Sequence, residues 1–225
     1  MTIALTGATG FVGQAVLDQA AQSDETVRAL TRRAQAPRAN VEWVAGDLSD
    51  TAALAALCEP CDAIVHVAGL TNAPDPAAFS ARFGFVPLPP GGASSIIHVT
   101  DLARLLLALV DAPPALVRRR VFEPDDAREG GWSHKELARA IGKAVGRPVF
   151  APHLPRSVLD AAAKVDRMVR GDKARLTADR VGYMTHPNWV ARSAMKVPEA
   201  VWSPSVSGEE GLAATARWYR DNGWL

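Results

Sequence analysis

The chain has 225 residues, 48% hydrophobic and 22% charged, with a formal net charge of +1. That length can bury a full core, as one large α/β domain or a domain with a smaller appendage, and the balanced charge gives no electrostatic pull toward nucleic acid or an anionic membrane. The longest apolar stretch, Leu102 to Val110, is broken by Arg104 and is far too short to span a bilayer, and no basic n-region precedes the first strand, so a soluble, cytoplasmic protein is expected.

The first fourteen residues, Met1-Thr-Ile-Ala-Leu-Thr-Gly-Ala-Thr-Gly-Phe-Val-Gly-Gln14, read as a short buried strand (Ile3, Ala4, Leu5), a tight turn and the opening of a helix. The glycines stand at 7, 10 and 13. Gly7 lets the backbone leave the strand at an angle other residues resist, Gly10 removes a side chain where a pyrophosphate must approach, and Gly13 lets the helix lie close to the strand. The free N–H groups of the new helix then face the phosphates. An apolar helical run (Val12, Val16, Leu17, Ala20) follows, which supplies the strand-turn-helix context that a bare glycine triplet lacks.

The spacing G-x-x-G-x-x-G, in the string Thr6-Gly-Ala-Thr-Gly-Phe-Val-Gly13, resembles the extended branch of the short-chain dehydrogenase/reductase superfamily, the NAD-dependent epimerase/dehydratase family. The resemblance implies a doubly wound (Rossmann) parallel sheet with strands ordered 3-2-1-4, shortened here, and a small, mostly helical C-terminal domain. It also implies that Gly7, Thr9, Gly10, Phe11, Val12 and Gly13 hold a dinucleotide.

Thr26-Val-Arg-Ala-Leu-Thr31 reads as a second strand that ends in Arg32 and Arg33. An acid at this place would bind the ribose 2′-OH of NAD, whereas arginine suits the 2′-phosphate of NADP, so NADP is expected over NAD, with Arg32 first and Arg33 second. A solvated basic loop is the other reading of the same pair. Val41 to Leu48 is a third strand running into Gly-Asp-Leu; by resemblance Asp47 and Leu48 lie beside the adenine, and Asp47 equally suits a cap or turn before the Ala-rich helix at 51 to 57. Cys58-Glu-Pro-Cys61 lacks the second ligand pair of a zinc site and precedes a strand where a redox motif would open a helix, which leaves two reduced structural cysteines.

Ala63-Ile-Val-His-Val-Ala-Gly69 is an apolar run without alternation, as expected of a central parallel strand covered on both faces. Its end, with Ala68 and Gly69, resembles the family segment that passes under the cofactor's ribose, and His66 reads more readily as a satisfied core residue than as a catalyst. Asp75 to Gly84 reads as a short helix with Asp75 as cap and Pro87 to Gly92 as a hinge, and the domain bounds are expected at 1–110 for the dinucleotide-binding part and 111–225 for the C-terminal part.

Here the sequence departs from the family. Ile96-Ile-His-Val-Thr-Asp-Leu-Ala103 resembles a segment that lies well downstream of the catalytic helix in the family, so roughly two βαβ-sized pieces of about 30 residues each have no counterpart. The only tyrosines are Tyr183 and Tyr219, and four residues beyond them stand Pro187 and Gly223 where Tyr-x-x-x-Lys would have lysine. Hydride transfer at C4 of nicotinamide needs a proton handled at the same time, and a phenol with an ordinary pKa of about 10 is a poor base without that lysine. Ser94, Ser95 and His98 are the nearest polar group, read as shaping a turn ahead of a substitute catalytic set, and Asp101 as capping the helix Leu102 to Val110.

The last hundred residues carry two capping boxes, Ser133-His-Lys-Glu136 and Ser207-Gly-Glu-Glu210, the first opening a helix with Leu137, Ala140, Ile141 and Val145 inward and Gly146 as stop. Pro155 to Gly171 places apolar residues at 158, 162, 165 and 169 on one helical face. Tyr183, His186, Trp189 and Arg192 could line a pocket or serve as packing and surface. Three functions fit: an oxidoreductase-lineage NADP protein lacking its catalytic middle, a non-catalytic nucleotide-binding protein, and a partner-binding scaffold. An open strand edge beyond the fourth strand favours a homo-oligomer. The substrate class is left open, with no metal and no catalytic residue assigned.

Overall fold

A computed structural model describes residues 1–23, 25–68, 91–149, 154–174, 176–223 and 225. They fall into two compact units: the described residues within Met1–Thr71, Val99–Phe122 and Val197–Ser203, and those within Asn72–His98, Glu123–Lys196 and Pro204–Leu225. The short helix read at Asp75 to Gly84, the hinge at Pro87 to Pro90 and the site residue Gly69 lie outside the described residues.

The first unit is a four-stranded parallel sheet in the order β3-β2-β1-β4, formed by β1 (Thr2–Thr6), β2 (Thr26–Thr31), β3 (Val41–Ala45) and β4 (Ala63–His66). Helices α1 (Phe11–Ala20), α2 (Thr51–Cys58) and α3 (Val99–Asp111) flank it, and a single turn, α4 (Pro114–Val117), follows. Alternation along β1 sends its side chains to two cores. Ile3 and Leu5 join Val16 and Leu17 of α1, Val27 and Ala29 of β2 and Ala103 of α3, whereas Ala4 joins Leu30, Ala53 and Leu57 on the α2 side. A sheet buried on both faces explains the unbroken apolar run of β1 and the doubly wound class.

Two expectations change here. The fourth strand is not covered on both faces: it is the last strand of its sheet among the described residues, and Ile64 (59% exposed) and His66 face outward while Val65 is buried. Asp101 is not the cap of a helix starting at Leu102, because α3 begins at Val99 and takes Asp101 into its first turn. There the carboxylate is fully buried, 2.5 Å from Arg104 Nη1, and its charge complements the positive end of the helix dipole.

The second unit holds a sheet of two-residue strands in the order β6-β5-β7, with β5 (Ala93–Ser94) antiparallel to β6 (Trp132–Ser133) and parallel to β7 (Asn188–Trp189). Its helices are α5 (His134–Val145), α6 (Arg156–Arg170), α7 (Ala178–Met184) and α8 (Gly208–Asp221). Both capping boxes form, with Ser133 and Ser207 each accepting from the backbone three residues on and Glu136 and Glu210 reaching back, and Gly146 ends α5 in the left-handed region at φ 76°. On α5 the buried positions are Ala138 and Gly142, with the expected face only half-buried.

Helix α6 reverses its expected face. It buries Leu159 and Ala163 against Val181 of α7, leaving Val158, Ala162, Val165 and Val169 exposed. The helix carries two apolar stripes, and the shorter one meets its neighbour.

The capping boxes set the α5 and α8 boundaries, so Ser207→Ala is expected to lower stability by about 1 kcal/mol, measured by urea denaturation; an unchanged midpoint would sink this account of the terminal helix.

Candidate functional site

In a parallel sheet all strands end on one edge, and the crevice outside that edge is where open α/β sheets take ligands. That edge here carries Gly7 after β1, Arg32 and Arg33 after β2, Gly46 and Asp47 after β3, and Val67 and Ala68 after β4.

Gly7 has φ 76°, and a Cβ there would lie 2.6 Å from the Ala68 nitrogen, so the turn rests against the chain leaving β4. A Cβ on Gly13 would stand 2.1 Å from the Gly7 oxygen and 2.6 Å from Ala8 Cα, which no rotation relieves because both contacts are backbone. The Gly10 amide donates to the Gly7 oxygen (2.9 Å), closing the turn. Gly10 is the N-cap of α1, with no side-chain cap and no acid in the first turn, so the amides of Phe11, Val12 and Gly13 keep their donors for an incoming anion. Thr9 and Phe11 are exposed at the mouth of the turn, while Val12 packs against the core.

Arg32 and Arg33 are both exposed and neither guanidinium makes an ion pair or hydrogen bond among the described residues. By contrast Arg38, in the same loop, is committed: it lies 2.6 Å from Asp18 Oδ1 and donates to Gln14 Oε1 at 3.4 Å. Gln14 in turn donates to the Ala8 carbonyl (3.0 Å), so this latch holds the glycine turn from behind. The latch was not anticipated from the sequence, since its members lie 24 positions apart with no motif joining them.

Asp47 forms an Asx turn, its Oδ1 accepting from the Ser49 amide (2.8 Å) and hydroxyl (2.6 Å). These bonds, with a smaller contribution from the Arg32 charge, hold its carboxyl below the ordinary value of 3.8. It therefore turns the chain as well as lying at the crevice, and the cap of α2 is Asp50, whose Oδ1 accepts from the Ala53 amide at 3.0 Å. Leu48 is exposed beside it. Under the turn, buried Thr6 Oγ1 lies 2.6 Å from His66 Nδ1, tying the ends of β1 and β4 together. His66 is thus satisfied by a neighbour, though on an exposed face rather than in the core.

The remaining candidates resolve by their partners. Cys58 and Cys61 are free and half-buried; burial pushes the Cys61 thiol up, which disfavours the reactive thiolate. Ser95 donates to Asp125 (2.8 Å) and accepts from the Ala191 amide (3.1 Å), so it ties strands together, and Ser94 lies within β5. His98 packs on Gly211 of α8, where a Cβ would come within 3.1 Å of its ring. Tyr183, His186 and Trp189 gather as an exposed aromatic group, with ring centroids 6.2 Å apart for Tyr183 and Trp189 and 4.5 Å for His186 and Trp189. Arg192 is held apart from them by Glu123, which accepts from its Nε at 2.9 Å and its amide at 2.8 Å.

Residues 3–83 match the sequence profile of the NAD dependent epimerase/dehydratase family. No curated protein matches the chain. The fold is shared with UDP-glucose 4-epimerase from Bifidobacterium longum, solved with NAD+ and UDP (TM-score 0.67, 13% identity, 99% of each chain). It is also shared with an NADPH-dependent quinone oxidoreductase from Escherichia coli solved with NADPH (TM-score 0.65, 14% identity, 98% of this chain and 100% of that one). A human epimerase family protein solved with NADPH has a TM-score of 0.59 at 16% identity, over 96% of this chain and 99% of that one.

Because the atoms facing Gly13 are backbone, Gly13→Ala is expected to cost about 1 to 3 kcal/mol, read by chemical denaturation; wild-type stability would mean that the turn can yield. A lowered carboxyl pKa contributes stability that is present above its unfolded value and lost as pH falls through the folded one. Removing the hydroxyl donor in Ser49→Ala, which keeps the amide bond of the Asx turn, is expected to return the Asp47 carboxyl toward 3.8, measured by NMR titration, and an unmoved titration would dismiss the Ser49 hydroxyl as its main cause.

Proposed function

We propose that this chain binds NADP(H), in preference to NAD(H), as a protein of epimerase/dehydratase type and oxidoreductase lineage, and that it does not carry out hydride transfer as it stands. The observation that carries the reading is the uncapped N-terminus of α1, built on a glycine turn whose close backbone contacts leave no room for side chains. The residues present fit a dinucleotide. The amides after Gly10 suit its pyrophosphate, the unpaired guanidiniums of Arg32 and Arg33 suit a 2′-phosphate, and Asp47, Leu48 and Ala68 suit the adenosine half. By the family resemblance, Gly69 belongs to the same set.

When bound, nicotinamide supplies a hydride donor or acceptor. The chain's own residues position and neutralise the phosphates. Neither tyrosine is followed four residues later by lysine, which supports binding without turnover. The matched profile and the NADPH-bound structures of the same fold support a nicotinamide dinucleotide as the ligand.

NADPH is expected to raise the melting temperature saturably, and NADH to bind about tenfold or more weakly for want of the charge-assisted bonds to arginine. Arg32→Ala is expected to narrow that gap. No stabilisation by either cofactor would overturn the binding reading, and NADPH oxidation above background with any carbonyl substrate would overturn the claim of inactivity.

A further inference from the structure

Beyond the crevice, the first unit carries a second concentration of positive charge, which the proposed function does not use. Arg118, Arg119 and Arg120 are consecutive, all exposed, and none makes an ion pair or a side-chain hydrogen bond among the described residues. Elsewhere the described arginines largely find partners: Arg28 with Glu42, Arg38 with Asp18, Arg104 with Asp101, Arg128 with Glu136 and Arg192 with Glu123.

The run is held in shape by the turn before it. The Arg118 amide donates to the Pro114 carbonyl (2.8 Å) and the Arg120 amide to the Val117 carbonyl (3.2 Å). Arg119 sits at φ 57°, the left-handed region that a side-chain-bearing residue seldom adopts. Pro114, Ala115, Arg118 and Arg119 line a shallow, open groove of about 470 Å³, so two arginines without ion-pair partners among the described residues border one site.

We propose that this groove is a binding site for a small polyphosphate, a di- or triphosphate group free or carried on an organic molecule. Both cations lining the groove are arginine, whose planar fork gives paired hydrogen bonds to phosphate oxygens where lysine offers a point charge. A nucleic acid would call for a longer basic track than three consecutive arginines. The groove is independent of the glycine turn, so it stands or falls apart from the dinucleotide reading.

The test is calorimetric titration of the full chain with inorganic tripolyphosphate, repeated with saturating NADPH. Arg118→Ala/Arg119→Ala is expected to weaken binding about tenfold or more while leaving the melting temperature unchanged, since both side chains are exposed. Arg118→Lys/Arg119→Lys, which keeps the charge and loses the fork, is expected to weaken it several-fold. The proposal is overturned if the wild-type chain does not bind, if the alanine variant binds equally well, or if the lysine variant matches wild type and only general charge is at work. Binding abolished by NADPH would place the anion at the glycine turn and overturn it also.

Discussion

The structure depends on how closely three stretches of backbone meet at Gly7, Gly13 and Ala68. The carboxyl end of β1, the first turn of α1 and the chain leaving β4 occupy space in which a single Cβ would lie at 2.1 to 2.6 Å from backbone atoms. That approach seats α1 on the core through Val16 and Leu17 and leaves the N-terminus of the helix open at the crevice. Packing and the proposed anion recognition therefore share one constraint. The absence of side chains at the turn serves both.

Charge around that crevice is sorted by what is already engaged. Arg38 is tied to Asp18 and Gln14, and Asp47 to Ser49, so these groups fix the loops that carry them. Arg32 and Arg33 make no ion pair or side-chain hydrogen bond among the described residues at the end of β2. An exposed guanidinium costs little in water, so stability alone neither requires nor forbids the pair. Its place at the carboxyl edge of the sheet is the one the proposed NADP(H) reading uses.

The second unit is organised differently. Its strands are two residues long and cannot hold a sheet by ladder bonds alone, so side chains complete them: Ser95 links Asp125 to the Ala191 amide, and Trp132 donates to Asp126 at 2.8 Å under the Arg128 guanidinium. Such a unit is hard to read ahead of folding because its bonds join residues far apart in the chain. Both capping boxes, by contrast, were legible, since cap and partner are three residues apart and their geometry is local.

By itself the sequence determined the strand-turn-helix at the start, the capped helices and the lack of a Tyr-x-x-x-Lys pair, all of which rest on residue type at short spacing, while the strand order came only as what the family resemblance implies. Tertiary structure decided which stripe of α6 is buried, where Leu159 and Ala163 displaced the longer run at 158, 162, 165 and 169, because periodicity counts apolar positions and cannot say which neighbour arrives. It also decided that β4 shows a face to solvent, that Asp101 lies buried inside its helix, and that Thr6 meets His66. Those outcomes depend on contacts between distant segments, and distance in space is what a linear chain does not state.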